Sequence, residues 1–289
     1  MTVLYKKELR RMFGGILPYA AIAILLLSCG IYTTYYNLLF AGTDVTFTLT
    51  GSFYALIVTL PMMTCGLYAY ERKSGSEALL YSLGYRPAEI VLAKLMAAMT
   101  VFGIAAAVLL VHPLILSLFG SVDLASAYLA WFGYVLMCGA LLSACGFVAS
   151  IARRPINCYL AGVGVVLLLW AAQRFLTALP TAPWFSLVIL LLLAIGIGAL
   201  LWLVIGSRIA AIGWTGVTAL LAAVLFVIRP QGFAALLQRV LASVNPFSRF
   251  SAFIYGRFDL DGIVYFISFA FFFVVLTVLL LGRRRNGDA

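Results

Sequence analysis

The chain has 289 residues, 65% of them hydrophobic and 10% charged, and a mean hydropathy of +1.14. Soluble domains carry roughly 25% charged residues, so a soluble globular protein is excluded. The formal charge of +10 then reads as the enrichment of Lys and Arg on the cytoplasmic side of a membrane, not as a nucleic-acid footprint. Several uncharged runs reach the roughly 20 residues of a helical crossing, and none shows the alternation over about 10 residues that a barrel strand needs. The expected class is an all-α integral membrane protein, a polytopic helical bundle.

Residues 2–13 form a basic amphipathic segment. Tyr5, Leu9, Met12 and Phe13 fall on one helical face, with Lys7, Arg10 and Arg11 opposite. That is the profile of a helix lying on the inner membrane surface. The apolar run behind it resembles a signal peptide, but no A-x-A cleavage pattern follows, so a retained first span is expected. The expected spans are 16–37, 51–70, 91–118, 127–151, 156–178, 184–206, 208–228 and 262–282, eight in all. Residues 184–228 cannot be one helix, because about 45 residues at roughly 1.5 Å each is twice the hydrocarbon thickness. They must fold back, and Gly206-Ser207-Arg208 is the polar point for it. An even number of spans puts both termini on one side. With that side inside, 14 of the 19 basic residues are internal, leaving Arg174, Arg229, Arg239, Arg249 and Arg257 outside. Tyr32, Tyr35 and Tyr36 would then form an aromatic anchor at the outer interface.

Two polar interruptions stand out. Residues 71–94 are the longest in the first half. Ser74-Gly75-Ser76-Glu77 fits a capping box, Gly84 supplies a stop, and Pro87 suits the first position of the next helix. The spacing predicts a short helix in a water-exposed loop, with Leu79, Leu80 and Leu83 needing cover. It is either a capped connector or a docking element for a soluble partner. In the outer segment 229–262, Phe233, Leu236, Leu237, Val240, Leu241 and Val244 form an apolar stripe that Asn245-Pro246 interrupts. At about 12 residues it is too short to span. Such a helix lies in the outer interface or dips into the protein and returns.

Much chemistry is missing. Cys29, Cys65, Cys138, Cys145 and Cys158 form no CxxC pair and His112 is the single histidine, so the cysteines read as small packing residues and a zinc site is unsupported. No GxxxxGK[ST] occurs, so the chain has no P-loop of its own. The nine acids all fall near helix ends or in loops, which counts against proton- or sodium-coupled transport. His112, followed by Pro113 near the outer face, reads as a wetted kink residue. No catalytic constellation stands out, so no enzyme activity and no bound cofactor is expected.

The stretch ERKSGSEALLYSLGYRPAEIVLAKLMAA, after Pro61-Met62-Met63-Thr64, resembles the loop after the second span in type-2 ATP-binding-cassette permeases, most of all the gliding-motility-type group. Those proteins carry E-R/K-x-x-G-T-E-x-L-L followed by I-V-L-G-K. Here the matching residues are Glu71, Arg72, Lys73, Gly75, Ser76, Glu77, Leu79 and Leu80, then Ile90, Val91, Leu92, Ala93 and Lys94. The stretch from Asn245 to Arg285 and the N-terminal YKKELRRMF are also similar, and the three blocks cover about a third of the chain. Ser76 stands for the usual Thr, Ala93 for a Gly, and Gly84-Tyr85 where a Pro is common. The hairpin 184–228 adds a pair of spans to the six that related permeases commonly have.

The resemblance implies a single transmembrane permease domain over residues 1–289, in an exporter without catalytic residues. ATP and Mg would be held by a separate cytoplasmic ATPase. Two permease copies, identical or related, would assemble in a bacterial plasma membrane with both termini cytoplasmic, with room for an auxiliary extracytoplasmic subunit and no role for nucleic acid. Glu71, Arg72, Lys73, Ser74, Gly75, Ser76, Glu77, Leu79, Leu80, Tyr81 and Leu83 would form the coupling helix that meets the ATPase. Phe233, Leu236, Leu237, Val240, Leu241, Val244, Asn245 and Pro246 would form the outer re-entrant helix over the path. The rival expectation is a membrane assembly or interaction subunit that carries nothing. An intramembrane enzyme acting on lipid is disfavoured by the missing catalytic set.

Overall fold

The computed structural model describes residues 2–40, 42, 44–75, 82–178, 183–228 and 241–285, and among them every regular element is helical. In chain order these are α1 (Thr2–Phe13), α2 (Ile16–Tyr32, continuing as a π-helical segment Thr33–Leu39), α3 (Thr46–Gly51), α4 (Phe53–Thr64) and α5 (Gly66–Ser74). There follow α6 (Pro87–Ser117), α7 (Leu124–Ile151), α8 (Pro155–Ala178), α9 (Pro183–Ile205), α10 (Arg208–Ile228), α11 (Pro246–Ile254) and α12 (Leu260–Arg285). Among the described residues six stretches are long and apolar enough to cross a membrane: Ile16–Leu39, Phe53–Arg72, Pro87–Ser117, Leu124–Ile151, Pro155–Arg174 and Leu260–Arg285. The protein is a polytopic, all-α membrane protein.

The chain does fold back between α9 and α10, at Gly206, whose φ is 76°. Only glycine adopts that conformation without strain, and a Cβ there would also run into the Arg283 guanidinium. The apolar stretches of this hairpin, Leu187–Trp202 and Ile212–Ala223, are shorter than the other six.

Helix α7 is the centre of the bundle, packing on α4, α6, α8, α11 and α12. Its small residues explain how so many neighbours approach it, since small side chains let helix backbones close up. Ala130, Ala140, Ala144 and Ala149 are all buried. A Cβ on Gly133 would stand 2.5 Å from the Phe253 ring. Tyr134, fully buried in the same helix, satisfies its hydroxyl on Ser52 Oγ at 2.8 Å. Trp131 Nε1 donates to the Ala106 carbonyl at 3.0 Å. All five cysteines are buried and free, in keeping with packing residues.

Contacts between helix ends sort the molecule into two poles. The ends of α5, α7 and α12 meet where Arg72 and Arg284 reach the Ser150 carbonyl. At the other pole His112 Nε2 lies 2.8 Å from Thr33 Oγ1, and Gln173 reaches the Phe247 carbonyl. The Thr33 hydroxyl also lies within hydrogen-bond reach of the Cys29 carbonyl at 2.8 Å and of Thr48 Oγ1 at 3.1 Å. Thr33 thus places His112 in a polar contact network, where the sequence suggests only a wetted kink. Tyr32 and Tyr36 stack at this pole, and Tyr36 stacks in turn on Phe47.

Candidate functional site

Helix α1 does more than lie along a surface. Leu4 and Glu8, one turn apart, are its buried residues, and Tyr5 Oη meets Thr100 Oγ1 of α6 at 2.8 Å. The buried face therefore contains a carboxylate. Isolated, such a group would cost far too much to bury, and its partners explain its presence.

Lys94, in the third turn of α6, is 0% exposed. Its Nζ lies 3.2 Å from Glu8 Oε1 and 2.6 Å from Glu71 Oε2 of α5, and it donates to the Leu67 carbonyl at 2.6 Å. The ammonium also sits 5.2 Å from the centre of the Tyr68 ring. Arg11 brackets the carboxylates from the other side, with Nη2 at 2.6 Å from Glu8 Oε2 and Nη1 at 3.2 Å from Glu71 Oε1. Lys7 completes the cluster, 3.1 Å from Glu71 Oε1. Burial pushes the Glu8 carboxyl above its ordinary range, while Lys94 and Arg11 pull it back. Three helices are tied together by this cluster. Each carboxylate has more than one cation, the condition under which buried charges can repay their desolvation.

Arg72, the neighbour of Glu71, faces another partner. Its guanidinium donates to the carbonyls of Ser150, Ile151 (3.3 Å) and Ala152 (2.8 Å), and Arg284 adds a bond to Ser150 at 2.7 Å. These are the carbonyls that the end of α7 leaves without helical partners, and cations there also meet the negative end of the helix dipole.

The residues expected in the coupling helix are thus divided. Glu71 and Arg72 turn into the bundle, where they are committed to internal partners. Ser74 does not start a helix. It is the last residue of α5, its Oγ donating to the Glu71 carbonyl at 3.2 Å. Gly75 then ends α5 in the left-handed conformation, φ 70°, a C-terminal cap that glycine favours and that pre-empts the expected N-cap. Lys73 precedes it in the last turn. Ser76, Glu77, Leu79, Leu80 and Tyr81 lie outside the described residues. Beyond them Leu83 is 64% exposed and Gly84 again has positive φ, 79°. Pro87 opens α6 as expected, and Glu89 Oε2 accepts the Arg86 N–H at 3.0 Å.

Of the expected outer helix, Phe233, Leu236, Leu237 and Val240 lie outside the described residues. Leu241 and Val244 are helical, and Val244 is exposed. Asn245 and Pro246 interrupt the stripe by starting a new helix. Asn245 Oδ1 accepts the Phe247 N–H at 3.0 Å, its Nδ2 donates to the Leu169 carbonyl at 2.7 Å, and Pro246 takes the first helical position. The new helix, α11, buries Phe247, Phe250 and Phe253. Phe247 and Phe250 meet Phe53 edge-on at 5.1 and 5.5 Å. Neither α11 nor the Glu8–Lys94 contact is among the sequence expectations. The signals were present: phenylalanines at i, i+3 and i+6 after an Asn-Pro start, and an acid one turn from both Leu4 and Met12 on an apolar face.

Among the described residues no group of His, Cys, Asp and Glu could hold a metal ion. No family model, curated protein or solved structure matches the chain.

Proposed function

We propose that the chain is the membrane permease subunit of an ATP-binding-cassette exporter, driven by a separate cytoplasmic ATPase. The observation that carries this reading is the meeting of Glu71 and Lys94 at 2.6 Å. They are the first and last charged residues of the segment that resembles the permease coupling loop, so that loop leaves and re-enters the bundle at one ion-paired point. A loop anchored in this way can transmit a push. An ATPase moves membrane helices only through an element that both proteins hold, and a base fixed to α1, α5 and α6 gives the loop that grip.

In this reading α1, the loop and the arginines at the end of α12 face the cytoplasm of a bacterial cell. The α9–α10 hairpin supplies two further crossings, the sixth and seventh in chain order, which brings the number to eight. Two permease copies, identical or related, assemble with two ATPases that bind ATP and Mg. Glu71 and Arg72 hold the base of the loop, and the apolar Leu79, Leu80 and Leu83 meet the ATPase. The test is co-purification of the tagged chain with the product of an adjacent reading frame that carries a P-loop. The wild type should retain the ATPase and Leu80→Asp should lose it. A wild type that retains no ATPase would favour the non-transporting assembly subunit.

A further inference from the structure

A half-enclosed cavity of about 480 Å3 lies at the elbow between α1 and α2, against α4 and α5. Met12, Ile16, Leu17, Met62, Met63 and Leu67 form its apolar wall, and Arg11 with Gly14-Gly15 forms its polar part. Its position is at the boundary of the apolar bundle, because Ile16 begins the first span and Leu67 lies near the end of the second, Phe53–Arg72.

Two features of this place have one explanation. Among the described residues the bordering cluster holds three cations, Lys7, Arg11 and Lys94, and two carboxylates, Glu8 and Glu71. Three minus two leaves one positive charge in excess, carried on the open side of the cluster, where the Lys7 and Arg11 side chains are 47% and 27% exposed. The apolar wall, meanwhile, offers water few partners. An anion with a hydrocarbon tail satisfies both. We propose that this cavity binds one anionic phospholipid from the leaflet at the α1 pole, its acyl chain against the Met62–Leu17 wall and its phosphate at the Arg11 and Gly14-Gly15 mouth. The Arg11 side chain is 27% exposed, so a headgroup can reach it. Lys6, Lys7 and Arg10 are exposed along α1 and draw anionic lipid towards the mouth. A free phosphate would use Arg11 but leave the apolar wall without a role.

This inference does not depend on the transporter reading, and its test needs no ATPase. The full chain, purified in neutral detergent, is unfolded thermally while dioleoylphosphatidylglycerol, dioleoylphosphatidylcholine or glycerol 3-phosphate is added. Phosphatidylglycerol should raise Tm at concentrations about tenfold lower than phosphatidylcholine, and glycerol 3-phosphate should leave it unchanged. Leu17→Trp, which fills the cavity and changes no charge, should remove the phosphatidylglycerol advantage; Met62→Trp serves if that variant does not fold. Equal responses to the two lipids, an advantage that survives the filling variant, or a shift with glycerol 3-phosphate that matches phosphatidylglycerol would each overturn the proposal.

Discussion

At the α1 pole, Glu8, Glu71 and Lys94 hold three helices together through charge; at the opposite pole, Phe247, Phe250 and Phe253 hold α11 against the bundle through ring packing. The two arrangements fail differently. A ring loses contacts in proportion to the volume removed, and its neighbours can partly close the gap. A buried ion cluster has less tolerance, because removing one member leaves the remaining charges incompletely compensated around carboxylates that are closed to water. Charge therefore specifies one geometry among α1, α5 and α6, and rings supply adhesion.

The comparison is sharpened by substitutions at each pole, read by unfolding in detergent. Lys94→Ala should be the most damaging, at about 4 kcal/mol, because two carboxylates lose a shared cation. A loss under 1 kcal/mol would mean that the cluster holds nothing together. Phe250→Ala should cost about 3 kcal/mol and should leave the α1 pole folded, as judged by protease resistance of the 2–13 segment. Gly133→Val would push a side chain into the Phe253 ring and should cost about 2 kcal/mol; neutrality there would mean that α11 packs elsewhere. Ser52→Ala removes the 2.8 Å bond to Tyr134 and should cost about 1 kcal/mol, the usual scale for such bonds between membrane helices.

The smallest effect belongs to the exposed cap of α7. Asp123 Oδ2 accepts the Ser126 hydroxyl at 2.6 Å, and this bond, with the backbone N–H groups of Ser126 and Ala125, holds its carboxyl below the usual 3.8. A lowered carboxyl stabilises the fold above its ordinary pKa and loses that contribution as pH falls through the lowered value. Asp123→Ala should therefore melt slightly below the wild type at pH 7, and the two should converge on acidification. A gap that widens in acid would contradict the cap.

Hydropathy made the helices legible, because a crossing is set by length and an apolar run shows its length directly. The return at Gly206 was legible for the same reason. What escaped was the pairing of charges. Glu8 reads as one more polar residue in a basic segment, and Lys94 as the cytoplasmic flank of a span, since nothing local reveals that the two approach across 86 residues. The capping signal at Ser74 misled because two glycine-flanked readings compete there. A left-handed Gly75 ending α5 satisfies the carbonyls of an existing helix, whereas an N-cap would only begin a new one. Helix α11 is masked in the sequence by the longer apolar stripe before it, which is a stronger periodic signal than three phenylalanines.

The central claim is that the charge-held pole faces the cytoplasm and the ATPase. It is tested most directly by labelling Ser74→Cys and Ser121→Cys in intact cells and in inverted vesicles. Ser74 and Ser121 are both exposed and lie at opposite poles, and the five native cysteines are buried and should label weakly. An impermeant maleimide should reach Ser121→Cys from outside the cell. It should reach Ser74→Cys only in inverted vesicles, more slowly once the ATPase is bound. Labelling of Ser74→Cys from outside, or at a rate that bound ATPase leaves unchanged, would contradict the account.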